Sequence, residues 1–98
     1  MFRDFFLGFV RLHILHHASR GPVFGLEMIK EMERHGYGLS PGTLYPILHH
    51  LEAKGYLCSR GEAEAGRVRR YYRTTEKGEA ALREAMVKAE ELLRELRE

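Results

Sequence analysis

Three groups of residues combine chemistry with spacing that would let them act together. Arg67, Arg69, Arg70 and Arg73 crowd one short stretch, interleaved with Val68, Tyr71 and Tyr72. Guanidinium groups keep their charge at any physiological pH and pair readily with phosphate oxygens. Ser40, Thr43, Tyr45, His49 and His50 offer hydroxyl, phenol and imidazole groups that can bond to a phosphate or to a base edge. His13 and His17 are spaced i, i+4, which can bring two imidazoles to one metal ion. No matching cysteine or second carboxylate pair accompanies them. Histidine also suits the negative end of a helix dipole. The preferred reading is therefore helix-end residues, with no metal and no other cofactor expected.

The second group needs a helix to present it, and residues 40–55 spell one out. Ser40 suits the N-cap, where its hydroxyl can accept a first-turn N–H, and Pro41 suits the first helical position. Gly55 suits a left-handed stop, with Lys54 just before it. Leu44, Ile47, Leu48 and Leu51 make one apolar stripe at i, i+3, i+4 and i+7. Gly42, Tyr45, Pro46, His49 and Ala53 fall opposite it, with His50 at the border. That outer face is small, polar-aromatic and nearly uncharged, unlike a merely solvated face. Pro46 removes a backbone hydrogen bond and crowds Gly42, so an irregular first turn is expected. Such local violations tend to sit at functional sites.

Upstream, residues 2–18 read as a first helix that is apolar nearly all round, and residues 23–35 as a second. In the second, Leu26, Ile29 and Met32 form the inner side, and Gly36 ends it. Two short helices joined by a Gly-containing turn make a helix-turn-helix pattern. Downstream, residues 56–60 and 67–74 read as two strands of a hairpin, with Gly61–Gly66 as a flexible loop carrying Glu62 and Glu64 at its tip. Strand alternation sets Arg67, Arg69 and Arg73 on one face. Arg70 shares the parity of Val68 and Tyr72, which suits a structural part. A basic hairpin after a recognition-type helix is what a DNA-binding wing requires. The rival is a solvated edge strand protected by charge.

Thr75 caps a last helix. Leu82, Met86, Ala89, Leu93 and Leu96 follow a four, three, four, three spacing along it, a heptad-type seam. About 22 residues at 1.5 Å each overhang so small a domain. The fold class expected is mainly α with a small β-hairpin: one winged helix-turn-helix domain over residues 1–98, with 75–98 as a dimerisation helix. Phe2, Phe5, Phe6 and Phe9 from the first helix and the five seam residues are the expected contacts of a homodimer.

Composition sets limits on this reading. The chain has 98 residues, 16 basic and 14 acidic. Residues 1–74 hold 11 basic against 7 acidic and residues 75–98 hold 5 against 7, so the positive excess lies ahead of the last helix. The single cysteine, Cys58, excludes an internal disulfide and is read as a small core filler. No apolar run approaches the ~20 residues that cross a bilayer, so no membrane partner and a cytoplasmic location are expected. Asn and Gln are absent, which removes the bidentate amide contact to adenine. No carboxylate pair, phosphate loop or Ser–His–Asp set stands in the context of an enzyme.

The run from Ser40 through Gly-Thr-Leu-Tyr-Pro to Leu48, the Leu51-Glu52 and Gly55-Tyr56-Leu57 segments, and Gly66-Arg67 with Arg70-Tyr71-Tyr72-Arg73-Thr74-Thr75-Glu76-Lys77-Gly78 together resemble the PadR family of winged-helix transcriptional regulators. Gly21-Pro22-Val23-Phe24-Gly25-Leu26-Glu27 is similar to the start of that family's second helix, with Phe24 and Leu26 where His and Tyr are usual. The resemblance spans about residues 9–96 and points to the short subfamily with a single closing helix. It implies a homodimeric repressor on double-stranded DNA, with the helix after Ser40 in the major groove and the last helix dimerising. Ser40, Thr43, Tyr45, His49 and His50 are the expected contacts from that helix; Arg67, Arg69 and Arg73 are those of the wing. A winged-helix protein–protein interaction module is the alternative. A small-molecule effector is left open. Some short members hold aromatic drugs on a tryptophan of the last helix, and this chain has no Trp.

Overall fold

The stop of each helix in the helix-turn-helix unit is written in its sequence. The computed structural model describes the backbone of residues 2–98 and the side chains from Asp4 onward, so the side chain of Phe2 lies outside the described residues. Seven elements follow in order: α1 Phe2–Ser19, β1 Val23–Phe24, α2 Gly25–Arg34, α3 Pro41–Ala53, β2 Leu57–Glu64, β3 Arg67–Thr74 and α4 Glu76–Leu96. Both helices of the unit end on a glycine with positive φ, Gly36 at 89° and Gly55 at 85°. The Gly36 and Tyr37 amides bond back to Glu33 and Met32, and the Gly55 and Tyr56 amides to Glu52 and Leu51. Both pairs follow the Schellman pattern that only a left-handed residue closes cheaply.

The core lies where three helices meet one sheet, with Leu82 of α4 packed against its edge. Val10, Ile14, Leu15 and Ala18 of α1 pack with Met28, Ile29 and Met32 of α2, the whole Leu44-Ile47-Leu48-Leu51 stripe of α3, and Leu57 and Tyr72 of the sheet. In α2 the inner side differs from the expected one. Met28 is buried and Leu26 is 51% exposed. At about 100° per residue Met28 lies about 40° from Met32 and Leu26 about 120° from it, so the side holding Gly25, Ile29 and Met32 takes in Met28 and leaves Leu26 out. The helix also starts at Gly25, two residues later than the pattern suggested. Val23 and Phe24 are drawn instead into an edge strand beside Tyr72 and Tyr71 of β3.

The hairpin is longer and tighter than its composition implied. Gly61–Glu64 is not a loop; it continues β2, paired in register from Leu57↔Thr74 to Glu64↔Arg67. The turn is only Ala65 and Gly66, at φ of 47° and 77°. Two central residues with positive φ match the right-handed twist of a hairpin. Glu62 and Glu64 therefore lie along the strand rather than at the tip. Glu62 pairs with Arg60 at 2.8 Å and Glu64 with Arg69 at 3.3 Å. Cys58 is exposed, not a core filler. Strand alternation turns Leu57 inward and Cys58 outward. Val68 is 74% exposed, because the hairpin has projected beyond the body by that point.

The start of α4 is locked onto the end of α3. The Thr75 hydroxyl accepts from the Gly78 amide at 3.1 Å and donates to the Gly55 carbonyl at 2.6 Å. Lys77 donates to the Lys54 carbonyl at 2.7 Å and lies 4.7 Å from the centre of the Tyr56 ring. Gly78 is buried so closely that a Cβ there would strike the Tyr56 carbonyl oxygen and the Thr74 methyl. Gly78→Ala is therefore expected to destabilise the chain by about 1–3 kcal/mol, as overpacking does. A urea titration checks this; an unchanged midpoint would mean that the contact relaxes freely.

Candidate nucleic-acid interface

α3 runs unbroken through Pro46, with its apolar stripe inward and Pro41, Gly42, Tyr45, Pro46, His49 and His50 on the exposed side. Ser40 stands at the N-cap with extended backbone, and its carbonyl accepts from the Thr43 and Leu44 amides at 3.0 Å each. Its hydroxyl does not cap an amide as expected. Pro41 has no N–H and the Thr43 N–H is already bonded to the Ser40 carbonyl. The Ser40 hydroxyl sits 3.3 Å from that of Thr43 instead, so the two hydroxyls form one polar corner at the helix start.

Tyr45 is 36% exposed and partly tucked in. A Cβ on Gly25 would come within 2.5 to 2.7 Å of three atoms of its ring and hydroxyl, so α2 must begin with glycine for Tyr45 to lie where it does. The ring of His49 is 6.5 Å away along the helix. Phe24, Gly25, Leu26 and Tyr45 form one wall of a cleft of about 370 Å³, and Arg67, Val68, Arg69 and Arg70 form the other. The recognition-type helix and the basic strand flank thus face one space.

The arginines differ in how they are held. Arg69 lies 4.6 Å over the Phe24 ring and also pairs with Glu64, so its guanidinium is anchored at the edge of the cleft. Arg67 is exposed at the strand start, across from Glu64. Arg70 donates to the Ser59 hydroxyl at 3.2 Å, and that hydroxyl donates to Glu52 of α3 at 2.7 Å. This relay ties the hairpin to the helix and gives Arg70 the structural part its parity suggested. Arg73 shares the sheet face of Arg67 and Arg69 but stands apart from the cleft, in a hollow nearer the base of the hairpin with Pro22, Cys58, Arg60 and Tyr71. Of the residues singled out from sequence, Tyr45, Arg67 and Arg69 meet at the cleft. Ser40, Thr43, His49 and His50 line the same helix. Gly25, Leu26 and Phe24 complete the site and were missed, since only the pairing of β1 with β3 brings them there.

The Transcriptional regulator PadR-like family matches residues 14–84, which include α2, α3 and both long strands. The chain belongs to that family. As a PadR-like regulator it is 53% identical over 94 residues to Transcriptional regulator Rv3488 of Mycobacterium tuberculosis, covering 96% of this chain and 88% of the relative. Among solved structures it is similar to a PadR family regulator of Eggerthella lenta, with 30% identity and a TM-score of 0.86 over 98% of this chain and 85% of that one. A PadR-like regulator of Bacillus cereus gives 25% identity and a TM-score of 0.86 over 96% and 93%. The chain is a DNA-binding transcriptional regulator with a winged-helix fold, and it is not an enzyme. No helix among the described residues is long and apolar enough to cross a membrane.

Proposed function

We propose that this PadR-like regulator is a homodimeric repressor that holds operator DNA between α3 and the β2–β3 wing of each subunit. The cleft that Tyr45 shares with Arg67 and Arg69 carries this reading. Ser40, Thr43, Tyr45, His49 and His50 contact the major groove, and Arg67 and Arg69 contact phosphate beside it. Arg73, on the same sheet face but nearer the base of the hairpin, serves a neighbouring phosphate only where the DNA wraps the wing. Two surfaces that share no residue with the cleft support dimerisation. On α1, Phe5 is 73% exposed, with Phe6 and Phe9 also exposed. On α4, Met86, Leu93 and Leu96 are exposed, as is every other residue after Ala85. The family resemblance supports repression as the outcome: a dimer seated on a promoter would exclude other proteins from it.

The wing contributes affinity with little sequence information. Arg67→Ala combined with Arg69→Ala is expected to lower affinity for operator and for random duplex by similar factors. The slope of log affinity against log salt should fall by roughly one unit per lost phosphate contact in each subunit. Binding titrations at several salt concentrations on both duplexes check this. An unchanged slope would make the hairpin a solvated edge. It would favour the rival reading, a protein-interaction module, whose apolar contacts respond weakly to salt.

A further inference from the structure

The histidines read as helix-end residues from sequence are joined in space by a third. His13 and His17 project from one face of α1, and His35, the C-cap of α2, comes to meet them. The Nε2 atoms of His17 and His35 are 3.2 Å apart. One donor nitrogen from each of the three rings lies within 4.8 Å of the other two. A tetrahedral zinc ion with nitrogens about 2.05 Å away holds them about 3.3 Å from one another. The His17–His35 pair already has that separation, and an inward shift of at most about 1.6 Å brings the third ring within bonding range. The Glu31 carboxylate stands 3.7 Å from His17 Nε2. It is in reach as a fourth ligand or as the acceptor for a metal-bound water. Its competitor is Arg34, which donates to both Glu31 oxygens at 3.0 Å.

We propose that His13, His17 and His35, with Glu31 beside them, form a binding site for a first-row transition-metal ion of the zinc class. The donor set is imidazole nitrogen with one carboxylate and no thiolate, which suits zinc and cobalt. Burial, together with the neighbouring histidines, holds His13 below the ordinary imidazole range. Burial likewise lowers His17, with Glu31 opposing it. Both shifts favour the neutral ring that ligation requires. The imidazole ligands come from α1 and from the C-cap of α2, before the turn into α3. A bound ion would staple the N-terminal helix to the helix-turn-helix unit.

Cobalt(II) titrated into the purified full chain tests this directly. The expected result is the intense visible absorption of four-coordinate cobalt, saturating at one ion per chain and displaced by zinc. Zinc should also raise the melting temperature by roughly 10 °C at saturation. His35 is exposed, so His35→Ala leaves the core intact; circular dichroism confirms the fold, and the variant should bind at least about tenfold more weakly. His16→Ala, next to the cluster but outside it, should bind as the wild type does. A faint six-coordinate spectrum, or an absorption that survives His35→Ala, overturns the proposal.

Discussion

Leu93→Glu is expected to yield a folded monomer. Leu93 is 47% exposed in the single chain, and the whole of α4 beyond Ala85 is exposed. The substitution therefore removes nothing from the chain's own core. In a two-fold dimer it enters twice, placing a carboxylate in each half of the seam. Burying such a group without a partner costs about 3 kcal/mol or more, roughly 100-fold in the association constant. Sedimentation at micromolar concentration reads the mass, and circular dichroism reads the fold. Operator affinity should fall further than the loss of one contact explains, because the two half-sites are no longer bound together. A wild-type chain that sediments as a monomer would refute the dimer. An unfolded Leu93→Glu chain would show instead that α4 supports its own domain.

The second large effect is expected at Tyr45. Tyr45→Ala should weaken operator binding by about 1–3 kcal/mol and random-duplex binding much less, since a lost base contact is felt only where the right base stands. Gly25→Ala supplies an independent check, because the added methyl group would collide with the Tyr45 ring and displace it. It should reproduce the loss of operator affinity with the tyrosine still present. Gel-shift titrations on both duplexes separate the outcomes. Equal weakening on operator and random DNA would assign Tyr45 to backbone contact or to packing.

What the sequence made legible was local. The α3 stripe, its start at Pro41 and its stop at Gly55 are all decided within one helix, and all hold. What it hid depends on partners distant in the chain. Val23 and Phe24 suit a strand by type, but two residues are too few to signal one; they become a strand because β3 is beside them. Gly61 to Glu64 have weak β-propensity, and the register with β3 holds them extended. The start of α2 shifted for the same reason, since β1 took the first two residues assigned to the helix. His35 gave no sign of meeting His13 and His17, since 18 residues separate it from His17. The Tyr45–wing cleft was half legible: its charged wall stood out, and its apolar wall did not.

β1 has a thermal consequence. It is a strand of two residues, and it pairs with β3 only after two helices and another strand have intervened. Closing so long a loop for so few bonds makes it late to form and early to open. Yet Phe24 supports Arg69, and Gly25, the next residue, supports the Tyr45 ring. The cheapest local opening of the domain is therefore the one that loosens both walls of the cleft together. On warming, amide protection at Val23 and Phe24 should disappear well before the core exchanges. DNA should be released over that same pre-melting range, while the helices remain intact.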